Sequence, residues 1–220
     1  MDLELVSWLA SEAGAEALAT ASAHDEAAQA EAAAGRAGAV DPLRASTALR
    51  RALPALEPGQ AAAVLTQVRL RERARPRLGP DVGRLLLTED GSEQATRSAV
   101  AALRAAAYAG SGATHVADLG CGLGLDAVAF GRAGLRVTAV ERDPVVAALA
   151  RANVEALGLA DAVEVREGDV TDAAVLDAAL AGADAAYADP ARRDTARRRD
   201  GRSERVTDPR EWSPPWSWVQ

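Results

Sequence analysis

The chain has 220 residues, room for one large domain or two small ones, and no apolar run approaches the ~18 residues a membrane-spanning helix needs. Its single cysteine excludes an internal disulfide framework, and a net charge of −7 argues against indiscriminate binding to polyanions. Alanine supplies much of the 49% hydrophobic content and aromatics only 3%, so the core must rest on Leu, Val and Ala. All 25 basic residues are arginine, a bias that suggests GC-rich coding rather than a chemical requirement. Met1-Asp2-Leu3-Glu4 lacks the basic start of a signal peptide, and a cytoplasmic protein is expected.

Residues 1–110 read as a helical N-terminal region. Leu3, Val6, Leu9, Ala13 and Ala17 recur at helical spacing, and no stretch alternates as a strand would. The stretch from Ala21 to Ala39 is alanine-rich and weakly patterned, a loose helix or a loop. Asp41-Pro42 suits a helix start, and Leu53-Pro54 with Pro58-Gly59 marks a turn. A longer helix is expected from Gln60 to about Arg75, stopped by Pro76, and another from Ser92 through Tyr108. Gly110-Ser111-Gly112 then separates this region from a second one, residues 111–220.

From Thr114 the pattern becomes β-α. Strands are expected at His115–Leu119, Arg136–Val140, Val163–Arg166 and Ala185–Ala188. Helices are expected at Leu125 to Arg132, from Asp143-Pro144 to Gly158, and at Ala173 to Leu180. Strands alternating with helices mean a parallel sheet that binds ligands at the carboxyl ends of its strands. The acids Asp118, Glu141, Asp169 and Asp189 all fall at or just after such ends.

The most informative stretch runs from Val116 to Gly124. An apolar strand delivers Asp118, and glycines follow at 120, 122 and 124. Such glycines let backbone N–H groups approach a ligand closely, and an acid ending the next strand, here Glu141, can grip a ribose diol. An adenosine-containing cofactor is expected. Leu125 stands where a dinucleotide fingerprint needs its third glycine, and a carboxylate at 118 suits an ammonium group and repels a pyrophosphate. S-Adenosylmethionine carries the ammonium and no phosphate.

Here the chain resembles the class I S-adenosylmethionine-dependent methyltransferases. Asp118 to Gly124 matches their first motif, Glu141 their acidic second motif and Gly168-Asp169-Val170 their third. Asp189-Pro190-Ala191-Arg192 falls where they carry a substrate-side D/N-P-P-x motif. The resemblance implies a Rossmann-like α/β fold, with four of the family's seven strands present here. It implies that Asp118 takes the methionine ammonium, that Gly120, Cys121 and Gly122 offer backbone contacts, that Glu141 takes the ribose hydroxyls, and that Asp169, with Val170, takes the adenine. The fourth strand would be an exposed edge, and Trp212, Trp216 and Trp218 cluster in the last nine residues. The chain is therefore expected to be the N-terminal part of a longer protein; a fold closed by a partner chain is the alternative.

Further upstream, Gln67-Val68-Arg69-Leu70-Arg71, Leu87-Thr88 and Glu93-Gln94-Ala95-Thr96-Arg97 look like bacterial methyltransferases that carry a THUMP-like domain, and Asp189 to Arg193 matches their D-P-A-R-R signature. Ser92 and Arg77-Leu78 depart from that pattern. THUMP-type modules imply structured RNA, and the catalytic part is also similar to cap-guanine N2 methyltransferases, in which the helix following the position of Thr88 helps close the cofactor pocket. The implied partner is RNA and the implied acceptor a nucleobase nitrogen.

In amino-methyltransferases the turn at Asp189 to Arg192 presents a side-chain oxygen and a carbonyl to an amine, so positioning does most of the work. Their fourth position is usually an aromatic that stacks on the base; Arg192 stands there, able to stack or to bind a phosphate, and carbon or oxygen methylation stays open. Cys121 sits inside the cofactor turn, which argues against a covalent cysteine. His24 and His115 have no partner pattern, and no metal-ligand spacing exists. Ser213-Pro214-Pro215-Trp216 looks like a second substrate motif, but follows no strand pattern; a loop burying tryptophan is expected. The basic run from Arg192 to Arg205 is interrupted by Asp194, Asp200 and Glu204, and reads equally as an RNA contact or a solvated loop. A non-catalytic RNA-binding or cofactor-sensing subunit is the rival reading, and a nicotinamide-dependent enzyme the third.

Overall fold

The computed structural model describes residues 1–34, 42–190, 193–199, 202–212 and 214–219. The chain divides into two compact units, residues 1–73 and 74–220. The first holds α1 (Leu3–Ala10), α2 (Glu12–Ala33), α3 (Pro42–Ala52) and most of α4 (Pro58–Leu78). Asp2 caps α1 by accepting from the Leu5 amide at 2.9 Å. Val6, Leu9, Ala17, Leu18, Leu49 and Val64 are buried in this unit. The alanine-rich stretch is helical as far as Ala33, and residues 35–41 lie outside the described ones.

Two boundaries differ from expectation. Pro76 does not stop α4: it lies inside the last turn, and the helix ends before Gly79 at φ 76°. The helix expected from Ser92 through Tyr108 is two, α5 (Glu89–Gln94) and α6 (Ser98–Gly110). Between them Ala95 and Arg97 turn extended, with ψ near 135°. The Thr96 hydroxyl there donates to Asp126 Oδ2 at 2.8 Å, a contact 30 residues distant that local periodicity cannot show.

The second unit is built on a parallel four-stranded sheet in the order β3-β2-β1-β4, formed by β1 (His115–Leu119), β2 (Arg136–Glu141), β3 (Val163–Glu167) and β4 (Ala185–Tyr187). Helices α7 (Leu125–Arg132), α8 (Pro144–Ala156) and α9 (Ala173–Leu180) connect these strands. This is the α/β, Rossmann-like arrangement the βα pattern requires, and β1 sits inside it with all five residues buried. Its side chains alternate between two cores. Val116 joins Ala105, Val128, Phe130, Val137 and Val154 on one face, while Ala117 and Leu119 join Val140, Val170 and Ala179 on the other. Phe130, the only phenylalanine, lies between the two tyrosines, with ring centroids 5.0 Å from Tyr108 and 5.7 Å from Tyr187.

His115 has a structural place at the strand entry. Its Nδ1 lies 2.9 Å from the Gly182 carbonyl oxygen and its Nε2 2.9 Å from Thr138 Oγ1. Asp184 accepts from the Thr114 and His115 amides and the Thr114 hydroxyl, pinning β4 beside β1. β4 is an edge of the described sheet.

The arginine-rich run is neither plain loop nor helix. An antiparallel hairpin pairs β5 (Arg193–Arg199) with β6 (Arg202–Arg205), with a register irregularity between Asp194 and Arg198. Almost every residue in it is polar or charged, so no apolar alternation marked it as strand. A short helix, α10 (Trp216–Val219), follows. Of the three late tryptophans, Trp218 packs against the Ala117–Leu119 core, whereas Trp216 is 43% exposed, so the expected burial holds for only part of that segment. No helix among the described residues is long and apolar enough to cross a membrane.

Candidate functional site

The four acids gather where strand geometry sends them. Asp118 lies next to last in β1, Glu141 ends β2, and Asp169 and Asp189 stand two residues beyond β3 and β4. Between β1 and α7 the chain makes a turn through Gly120 (φ 93°) and Gly122 (φ 55°), values that L side chains rarely adopt. A Cβ at either position would meet nothing within 4 Å, so the turn backbone borders open space. The Gly120 and Cys121 amides both donate to the Val140 carbonyl at 2.9 Å, tying the turn to the end of β2.

Glu141 is fixed at both oxygens. Oε2 accepts from the Gly122 amide and Oε1 from the Asp143 amide, each at 3.0 Å. Each oxygen retains a lone pair for a ligand hydroxyl. The Gly168 amide donates to the Glu141 carbonyl at 3.0 Å, which brings the Gly168-Asp169 turn alongside. Asp169 itself is exposed, and its Oδ1 accepts from the Thr171 hydroxyl (2.7 Å) and amide (2.9 Å). Those bonds hold its carboxyl below the usual range. Val170 differs from the rest of the set: it is 6% exposed and packs in the core with Val140, leaving only its backbone to face a ligand.

Asp118 is the strangest group in the unit. It is 1% exposed, and its Oδ2 has no hydrogen-bond partner among the described residues. Burial pushes its pKa well above the usual carboxylate range; Asp126, Glu141 and Asp189 push the same way, and Arg104 opposes them. Cys121 has its thiol pKa raised by burial and by Asp118 and Glu141, so it stays a protonated thiol rather than a nucleophile.

Thr88 caps α5, its Oγ1 accepting from the Gly91 amide at 2.9 Å. A Cβ at Gly91 would lie 2.7 Å from Thr88 Oγ1 and 2.8 Å from the Leu123 side chain, so this cap sits against the glycine turn. Asn153, fully buried on α8, secures the junction. It accepts from the Leu86 amide at 2.7 Å and donates to the carbonyls of Leu86 and Leu123 at 3.1 Å.

Three residues near Asp118 were not singled out from the sequence, Arg104, Asp126 and Tyr187, and Thr96, which bonds Asp126, was named only within a resemblance. Arg104 pairs with Asp126 and lies 4.4 Å from the Tyr187 ring centroid. The Tyr187 hydroxyl is buried without a partner among the described residues, and burial raises its pKa. One signal was available: Arg104 is the only charged residue in a 13-residue helix made mostly of alanine.

Asp189 is exposed and Pro190 buried, while Ala191 and Arg192 lie outside the described residues. Among the described residues, Asp189 and Pro190 share an open recess of about 330 Å³ with Ala188, Pro209, Trp212 and Trp216. The glycine turn and Glu141 thus stand together at the strand ends, with the Thr88 cap beside Leu123, and Asp189 follows two residues after Tyr187, which pairs with Asp118 across β1 and β4.

Residues 116–197 match a family described as methyltransferase domain. Among solved structures, the chain is similar to a protein from Porphyromonas gingivalis W83 described as a methyltransferase, with 28% identity and a TM-score of 0.51 over 62% of this chain and 34% of that one. An O-methyltransferase from Bacillus cereus in complex with SAH matches at 20% identity and a TM-score of 0.41, over 56% of this chain and 52% of the other. The chain therefore spans about a third of the first protein's length and about half of the second's. The sheet order, the glycine turn and the match over residues 116–197 agree on a Rossmann-like methyltransferase-type fold for this part of the chain.

Proposed function

We propose that the protein transfers the methyl group of S-adenosylmethionine to a nucleobase nitrogen in RNA, as a relative of the bacterial methyltransferases with a THUMP-like domain. The observation that carries the cofactor assignment is the buried, unpartnered Asp118 Oδ2 below an open glycine turn. An unpaired buried oxygen is costly, and an ammonium group supplies both the missing donor and the missing charge. A pyrophosphate at this point would meet a carboxylate instead.

The residues fit the cofactor as follows. Asp118 would take the ammonium, Glu141 the ribose hydroxyls, Asp169 the adenine amine, and Gly120, Cys121 and Gly122 would leave room for the body of the molecule. Thr88 and α5 would cover it. Bound there, the cofactor supplies a methyl group made electrophilic by its sulfonium. The chain's own task is to hold the acceptor: Asp189 accepts a hydrogen bond from the acceptor N–H and so directs the nitrogen lone pair at that methyl. Asp189 or solvent would take the proton that the acceptor nitrogen gives up on methylation, the sulfonium being released as a neutral thioether.

RNA and the nucleobase rest on the Asp189 to Arg193 signature and on a carboxylate, Asp189, able to accept from a base N–H. RNA in turn implies the cytoplasm as the place of action. The test is transfer of labelled methyl from S-adenosylmethionine to total RNA by the protein, with Asp189→Ala beside it. Labelled RNA with wild type and loss in the variant supports the reading. RNA binding without transfer, with the cofactor site filled, would favour the non-catalytic subunit.

A further inference from the structure

The residue expected to stack on an acceptor base is absent from its usual place, where Arg192 stands. The chain brings flat side chains to Asp189 from elsewhere. Beyond the hairpin, the short turn Pro209–Glu211 and the segment after it place Pro209, Trp212 and Trp216 around Ala188, Asp189 and Pro190. The three tryptophans of this segment have different tasks. Trp218 packs against Ala117, Leu119 and Val140 and anchors the segment to the sheet, and its amide donates to the Pro215 carbonyl at 2.9 Å. The Trp212 indole N–H donates to the Val206 carbonyl at 3.2 Å, which fixes that ring. Trp216 meets Trp212 edge to face, centroids 5.9 Å apart at 74°, and remains 43% exposed beside the recess.

An exposed tryptophan braced edge to face by a second, fixed indole is a large planar surface at low entropic cost. The recess walls are two prolines and two indoles, and the charged group among the described lining is the Asp189 carboxylate. Such a lining suits a flat ring with N–H donors on its edge and disfavours a phosphate. We propose that Trp216, supported by Trp212, is the stacking wall of the acceptor site, and that the recess takes a neutral heteroaromatic ring bearing an N–H that Asp189 accepts. This rests on the acceptor role given to Asp189 above. Trp216 acts in place of an aromatic at position 192 and sets specificity for planar acceptors, while the ligand's phosphates stay outside.

The test saturates the full chain with S-adenosylhomocysteine, so that no nucleoside occupies the cofactor site, and titrates guanosine and cytidine by ligand-observed NMR. Trp216→Ala and Trp216→Phe are compared with wild type, with melting curves to show that each is folded. Base–aromatic stacking is lost on truncation to alanine, so nucleoside binding weakens roughly five- to hundredfold in Trp216→Ala and largely recovers in Trp216→Phe. S-Adenosylhomocysteine affinity stays unchanged in both. Equal nucleoside binding by Trp216→Ala, or none by folded wild type, overturns the proposal while leaving the cofactor site intact. Failure to bind S-adenosylhomocysteine strikes the methyltransferase reading instead, and the stacking claim is then decided by whether nucleoside binding still depends on Trp216.

Discussion

The Gly122 amide donates to Glu141 Oε2 at 3.0 Å, so the glycine turn and the acid that ends β2 hold each other in place. The bond links two parts of the proposed cofactor site across 19 residues. Removing the carboxylate therefore takes away a ligand group and an anchor of the turn together. Glu141→Ala is expected to weaken S-adenosylhomocysteine binding by at least tenfold, the scale of a lost hydrogen bond to a charged group. Glu141→Gln keeps an acceptor and should lose less. Calorimetric titration of the three proteins checks the order.

Asp118 predicts opposite effects on stability and binding. Its folded-state pKa is raised, so the native chain binds more protons there than the unfolded one. Stability from this group is full below the unfolded value of about 3.9 and is lost as pH rises toward the folded pKa. Asp118→Asn removes that titration. Its melting temperature should gain on wild type as pH is raised from about 4 to neutrality. Cofactor affinity should fall in the same variant, since an amide cannot pair with an ammonium. A constant melting-temperature difference across that range would show that Asp118 is not a strained acid.

Arg104 balances Asp126 and covers Tyr187. Deleting it strands a half-buried carboxylate whose pKa burial already raises. Arg104→Ala is expected to cost about 1–3 kcal/mol, the range for a polar group left unsatisfied, in urea unfolding. Adding Asp126→Asn should recover part of that loss, because the stranded charge is gone. Arg104→Lys should not substitute, since an ammonium cannot both pair with the carboxylate and lie flat on the ring.

Asn153 has no exposed surface and three bonds to backbone groups of Leu86 and Leu123. Asn153→Ala leaves an amide and two carbonyls without partners, for a loss of about 2–4 kcal/mol. Hydrogen exchange at the Leu86 amide should quicken more than at Val116, because the segment leading to Thr88 loses its tether while β1 keeps its ladder.

What the sequence showed is governed by how local each signal was. The four parallel strands and the three helices between them were legible because they carry their own punctuation: Gly134 and Gly158 after helices, Asp143-Pro144 before one, and acids after strands. Asp143 caps α8 by accepting from the Val145 and Val146 amides, as that dipeptide implies. The Thr96–Asp126–Arg104–Tyr187 cluster was not legible, because its members come from four separate segments and meet only through folding. The β5–β6 hairpin was hidden by its charge, and the break at Thr96 by a bond to a distant acid. Trp216 looked like part of a buried loop because sequence proximity to Trp212 and Trp218 says nothing about which ring faces out.

The central claim is that this chain holds S-adenosylmethionine through Asp118, the glycine turn and Glu141. The most direct measurement is calorimetric titration of the purified chain with S-adenosylhomocysteine, with Glu141→Ala alongside and circular dichroism on both. The account predicts saturable one-to-one binding by wild type and its loss in the folded variant. No binding by a folded wild-type chain, or equal binding by both proteins, would contradict it.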